Sequence, residues 1–197
     1  MDKRILVPLA LSVLAALMLT ACGGGGSGDE GKITEVIEAA ATTSDPSNCT
    51  ELQTQSFDEQ NSEEKGKGAV KACEEEAKAG EEEAEGAKVS NVSINGEKAT
   101  AEVEFEGGSL GSQALEVALV EEGGSWKLDQ VEGFANYDGK ALGEAFEKQF
   151  EKEPEGLNAD QAQCIAGKIA AASQTEAEAL FFSGTPDAIE ELAESCA

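Results

Sequence analysis

The sequence predicts an α+β protein: N-terminal helices packed on a four-strand antiparallel sheet, followed by a small disulfide-tied helical unit. Two observations carry that reading. Apolar residues recur at helical spacing over 33–73, alternate over 89–131, and return to helical spacing from 142 onward. Four cysteines, Cys49, Cys73, Cys164 and Cys196, fall two in each helical region. Helices, then a run of strands, then helices is the order of α+β rather than of alternating α/β folds.

Ahead of the folded part, Lys3 and Arg4 form a positive region, and residues 5–19 form an apolar one broken only by Pro8 and Ser12. That layout is a secretory signal. Its apolar run is shorter than the about 20 residues of a membrane span. The run closes on Leu19-Thr20-Ala21-Cys22, which resembles the bacterial lipobox, cut just before the cysteine. The resemblance implies a signal peptide over 1–21, a diacylglyceryl group on Cys22, and a lipid anchor on the extracytoplasmic face of the cell membrane. Two acyl chains hold a protein firmly where one does not. Residues 22–31 then supply the lipidated cysteine and a Gly-rich flexible tether. The glycines are not a phosphate loop, because no strand precedes them and no Gly-Lys-Ser/Thr follows.

The first folded block spans 32–135. Ile33, Val36, Ile37 and Ala40 predict a helix over 32–42, ended by Thr42-Thr43-Ser44-Asp45-Pro46. A short helix is expected over 50–58 with Leu52 and Phe57 inward, and a third over 65–80 with Val70 and Cys73 on one side. Residues 89–94 form a strand, and Asn95-Gly96 predicts a type I′ hairpin. Ala99, Ala101, Val103 and Phe105 alternate with Thr100, Glu102, Glu104 and Glu106, giving a strand with one apolar and one acidic face. Leu115, Val117 and Leu119 alternate in the next strand, and Glu122-Gly123-Gly124-Ser125 turns the chain. Trp126, Leu128 and Val131 continue in a last strand, where the change of parity predicts a bulge near Asp129.

The second block, 136–197, is helical. Asp138 and Asn158 are candidate caps for two helices separated by Pro154-Glu155-Gly156. Thr175-Glu176-Ala177-Glu178 reads as a capping box. Ser183-Gly184 ends that helix and Thr185-Pro186 begins the last, with Ile189, Leu192 and Cys196 inward. Phe181 and Phe182 are the expected exposed contact of this unit. Four cysteines in an exported domain read as two disulfides. Cys49–Cys73 and Cys164–Cys196 are expected, since each pair then lies inside one compositional block.

The net charge is −26, and removing residues 1–21 takes away a net +1 and leaves −27. The remaining chain has no Arg and no His, which excludes a phosphate-binding stripe and so nucleic acid. Without His, and without Cys-x-x-Cys, the cysteines have no metal-site spacing, and no cofactor or metal is expected. The runs Glu74-Glu75-Glu76 and Glu81-Glu82-Glu83-Ala84-Glu85 lack an Asp-x-Asp-x-Asp-Gly loop and read as solvated helix end and linker.

Three helices followed by strands, the Val-x-Ile-Asn-Gly-Glu-x-Ala-Thr-Ala-x-Val hairpin (residues 92–103) and the Gly-Ser-Trp-Lys-Leu closing strand together resemble the nuclear-transport-factor-2-like, cystatin-like superfamily. More narrowly, they resemble small actinobacterial envelope lipoproteins of that fold. The resemblance covers about residues 32–134. It implies a sheet curled into a cone covered by helices, whose members bind small apolar ligands, bind proteins, or act as isomerases and dehydratases. The enzymes of the group use pocket Asp, His and Tyr residues for proton transfer. Here the only Tyr, Tyr137, lies past the last strand, and Asp129 is the sole candidate acid, so no catalytic activity is expected. The leading expectation is a non-catalytic site for a small apolar ligand lined by Val103, Phe105, Leu115, Val117, Leu119 and Trp126. The competing expectation is a module that contacts another envelope protein.

Overall fold

In the computed structural model, one antiparallel sheet runs in the order β1-β2-β3-β4. Its strands are β1 (Gly86–Asn95), β2 (Lys98–Glu106), β3 (Ala114–Glu122) and β4 (Ser125–Asn136). The structure describes residues 28–62, 64–79, 84–107, 110, 113–152, 158–182 and 187–196. Cys22 and its flanks, most of the second acidic run, the breaks at 154–156 and 183–186, and the side chain of Ile189 lie outside the described residues.

Helix α1 (Asp29–Thr42) lays Ile33 and Ile37 on the inner face of the sheet. There they meet Ala99, Ala101 and Val103 of β2 and Leu115, Val117 and Leu119 of β3. The same parity that buries these residues turns Glu102, Glu104 and Glu116 outward, so the sheet has one dry face and one acidic, solvated face.

The expected helix over 50–58 is two helices, α2 (Asn48–Glu51) and α3 (Gln55–Gln60). The break has a tertiary cause. The Leu128 N–H donates to the Leu52 carbonyl, and the Thr54 N–H donates to the Leu128 carbonyl, each at 2.8 Å. Pairing to β4 pulls residues 52–54 out of helical geometry, and Thr54 then caps α3 by accepting from the Phe57 N–H at 3.2 Å. Helix α4 (Lys67–Ala79) packs on α2 and α3. The Cys49–Cys73 disulfide ties α2 to α4 with 6.0 Å between Cα atoms.

Both hairpins have two-residue loops, of opposite kinds. Asn95 pairs with Lys98, so the loop is Gly96-Glu97, and only Gly96 has positive φ. That is the II′ arrangement, one residue later than the expected I′ turn centred on Asn95-Gly96. The I′ arrangement occurs instead at Gly123-Gly124, where both φ values are positive (62° and 88°). In β4, register shifts leave Asp129, Glu132 and Ala135 without a partner on β3. The bulge expected at Asp129 is thus the first of three. Each adds one residue, so Leu128, Val131 and Phe134 all face the core at a spacing of three. Repeated bulges bend and twist a strand.

The C-terminal unit comprises α5 (Gly139–Lys152), α6 (Ala159–Ala171), α7 (Gln174–Phe182) and α8 (Asp187–Glu194). Asp138 caps α5 through the Ala141 N–H (3.0 Å), and Asn158 forms a reciprocal box with Gln161 at the start of α6. The box expected at Thr175 sits two residues earlier: Glu176 accepts from the Ser173 N–H at 2.8 Å. Gly143 lets α5 and α6 meet closely, since a Cβ there would lie 2.6 Å from the Ala166 carbonyl. Cys164–Cys196 closes the unit, with 5.8 Å between Cα atoms. Leu142, Ile165, Ile169 and Ala177 join the same core cluster as the sheet. Phe181 and Phe182 are not a free contact. Both are half-buried, and Phe182 packs on Phe134 with centroids 5.0 Å apart. The rings fit because the sheet supplies the burial that a small bundle alone would lack.

Candidate functional site

Of the six residues expected to line an apolar pocket, Val103, Leu115, Val117 and Leu119 are buried in the core against α1, and Phe105 packs half-buried against them. Trp126 is also buried, and it forms part of the wall of a cleft at the rim of the sheet.

That cleft has a volume of about 720 Å³. Helix α1 supplies Lys32, Glu35, Val36 and Ala39, the i, i+3, i+4, i+7 stripe next to the one that Ile33 and Ile37 bury. The chain around α2 supplies Thr50, Glu51 and Leu52, and the β3–β4 turn supplies Glu122, Trp126 and Lys127. Val36, Ala39, Leu52 and Trp126 give it apolar walls.

Its charges are unevenly committed. Lys32 pairs with Asp29 at 2.8 Å. The Lys127 ammonium donates to the Thr50 carbonyl at 2.7 Å and stands 3.8 Å from Glu122. The carboxylates of Glu35 and Glu51 have no hydrogen-bond or ion-pair partner among the described residues. The buried indole N–H of Trp126 also has no hydrogen-bond acceptor. Asp29 is held below the usual carboxylate range first by Lys32 and last by that indole, which makes no hydrogen bond of ordinary geometry with it. A buried N–H without an acceptor is costly, and this one is shut off from the cleft by its burial.

Two other carboxylates stand out. Asp129, the candidate acid, accepts a hydrogen bond from the Thr54 hydroxyl at 2.8 Å and so serves the junction of α3 with β4. Asp58 gave no signal in the sequence, being one acid among many in a short polar helix. It is only 2% exposed, and neither of its oxygens has a hydrogen-bond partner among the described residues. Burial, and then the negative charge of Glu76 on α4, push its pKa up to about 6. Asp58 is not part of the cleft wall. In the first acidic run, Glu74 and Glu75 make surface pairs with Lys78 and Lys71 at 3.7 and 2.9 Å. No cluster of three or more potential metal ligands occurs among the described residues.

The apolar face of α1 was legible in its spacing, but nothing local announced that α2 and the β3–β4 turn would rise beside the neighbouring stripe to form a cleft. Compared with known proteins, the chain matches no family model, no curated protein and no solved structure.

Proposed function

We propose that this is a lipid-anchored, extracytoplasmic, non-catalytic binding protein that holds a small amphipathic ligand in the rim cleft. The observation that carries the reading is the cleft itself. It falls in the size range of ligand pockets and combines apolar walls with a few polar groups. The inner sheet residues expected to line an apolar pocket are occupied with one another and with α1, so the rim is the better seat. The anchor is supported by the Cys22 motif and by the cysteine arithmetic: the other four pair among themselves and leave Cys22 over. Binding rather than turnover is supported by the engagement of the two candidate proton-transfer groups. Asp129 holds Thr54, and the Tyr137 hydroxyl donates to the Ala172 carbonyl at 3.0 Å.

Native mass spectrometry of the full chain in detergent tests this reading. A small molecule retained by the wild type and lost from Leu52→Trp, which fills the cleft, is the expected result. Retention by both would remove the cleft as the site.

A contact with another envelope protein is the second reading, favoured by β1, an outer strand whose Ile94 is 39% exposed. A photo-crosslinker placed at Ser93 in cells should then capture one partner reproducibly. A blank at Ser93 beside a productive control elsewhere would sink it.

A further inference from the structure

We propose that Asn95-Gly96, at the tip of the β1–β2 hairpin, is a site of spontaneous modification, where the backbone rearranges from asparagine to isoaspartate. The Gly96 backbone nitrogen attacks the side-chain carbonyl carbon of Asn95 and forms a new C–N bond. The Asn95 side-chain nitrogen leaves as ammonia, carrying off the Gly96 amide proton, and a five-membered succinimide remains. Water, the one co-reactant, then opens the ring: its oxygen adds to a ring carbonyl and its proton returns to the ring nitrogen. Opening at the backbone carbonyl routes the chain through the former side chain as isoaspartate, and opening at the other carbonyl gives aspartate. No electrons are transferred.

Three features set Asn95 apart from the other five asparagines. First, both reacting groups are at liberty. Asn95 and Gly96 are exposed, and neither the Asn95 side-chain amide nor the Gly96 N–H has a hydrogen-bond partner among the described residues. Second, the attacking nitrogen is open to approach, since a Cβ built on Gly96 would meet nothing within 4 Å. Third, ring closure turns the Asn95 peptide out of the extended strand, and Asn95 is the last pair of its ladder, facing Lys98. The far side of the loop is tied to β3, where the Glu121 N–H donates to the Glu97 carbonyl at 2.8 Å. The near side belongs to the open outer strand and is the part that frays.

The remaining asparagines are engaged or crowded. The Asn48 amide donates twice to Thr43, at 3.0 and 2.8 Å, and Asn48 precedes the disulfide-bonded Cys49. The amides of Asn61 and Asn91 donate to the Phe57 carbonyl and to Glu102, each at 2.8 Å, and Asn158 accepts from the Gln161 N–H as a helix cap. Asn136 precedes Tyr137, whose ring packs on Phe134. At Asn95 the product adds a carboxylate beside Glu97 and one backbone atom to a hairpin whose register depends on loop length.

The test ages the full chain in detergent micelles at neutral pH and follows each asparagine by tryptic mass spectrometry. Cleavage after Lys88 and Lys98 releases residues 89–98, which carry Asn91 and Asn95 on one peptide. Asn95 is expected to lose its amide roughly fivefold or more faster than any other asparagine, the factor that one engaged hydrogen bond imposes. Isoaspartate should exceed aspartate in the product, and an isoaspartyl methyltransferase should label the aged chain and not the fresh one. Asn95→Gln, which would have to close a six-membered ring, should age without that label. Prior loss of another asparagine overturns the proposal, as does aspartate formed without isoaspartate, or a label that persists in the glutamine variant. An Asn95 that stays intact while a synthetic peptide of residues 89–98 is converted also overturns it, because the hairpin then protects the site.

Discussion

The sheet has two outer strands, and the protein treats them differently. β1 is open: among the described residues nothing pairs with its outer side, and the strand is exposed or half-buried throughout. β4 is closed, by side chains and a single bridge rather than by a fifth strand. The Leu128 N–H and carbonyl are taken by residues 52–54. Gln60 answers Val131 twice, accepting from its N–H at 2.7 Å and donating to its carbonyl at 2.8 Å. Phe134 is answered from α7, where Glu178 accepts from its N–H at 3.1 Å and Gln174 donates to its carbonyl at 2.8 Å. The bulges at Asp129, Glu132 and Ala135 explain the spacing, because they turn the backbone groups of 128, 131 and 134 to the same free side. A buried strand edge must satisfy every N–H and C=O, whereas a wet one can leave them to water. β1 manages with water, one lysine (Lys88) and a bulge at Asn91-Val92, where Asn91 takes a left-handed φ of 52°.

This contrast can be broken most severely at Gln60. Gln60→Ala leaves two groups of Val131 unanswered, and a loss of about 3 kcal/mol is expected by urea unfolding. A loss below about 0.5 kcal/mol would mean that water replaces the amide and that β4 is as wet as β1.

The next effect concerns the helix that delivers the clasp. Gln60 and Asp58 share α3, so the element that closes β4 also buries a carboxylate. The folded pKa of Asp58, about 6, lies above its ordinary 3.8. The folded state therefore holds the proton more tightly than the unfolded chain. This contribution is most favourable below about pH 4, declines as pH rises from 3.8 to about 6, and is flat above. The decline is at most about 3 kcal/mol, and about 2 is expected once some solvation is allowed. Asp58→Asn should flatten that part of the stability profile and raise the melting temperature at pH 7.5. An unchanged profile would show that α3 relaxes to wet the carboxylate.

The smallest effect belongs to the other edge. Ser93→Lys on β1 should change stability by less than about 0.5 kcal/mol. Hydrogen exchange sharpens the same contrast residue by residue: the amides of 128, 131 and 134 should exchange slowly and the outward amides of β1 fast. Equal protection of both edges would point to a partner on β1.

What could be read in advance follows the range of the interaction. The alternation of β2, the caps at Asp138 and Asn158, the cysteine pairing and the bulge at Asp129 are local or compositional, and the sequence displays them directly. The break between α2 and α3 was not legible, because Leu128 causes it from more than seventy positions away. The Gly96-Glu97 loop differs from an Asn95-Gly96 loop by one step of register, which the partner strand decides. The burial of Phe181 and Phe182 depends on Phe134, in another layer. The cleft has the same character: Lys32, Glu35 and Trp126 each look ordinary until three separated segments are set side by side.

The closure of β4 also has a consequence in time. The groups that close it come from residues 52–54, 60, 174 and 178, which a ribosome delivers at opposite ends of synthesis. Leu128 and Val131 can be answered as soon as β4 emerges, since their partners are already made. Phe134 must wait for α7, some forty residues later. During that interval the growing chain carries a bare stretch of sheet at 134–136, the kind of edge that recruits neighbouring strands. A protein truncated before residue 174 would hold that unfinished state permanently, and is expected to associate with itself where the complete chain does not.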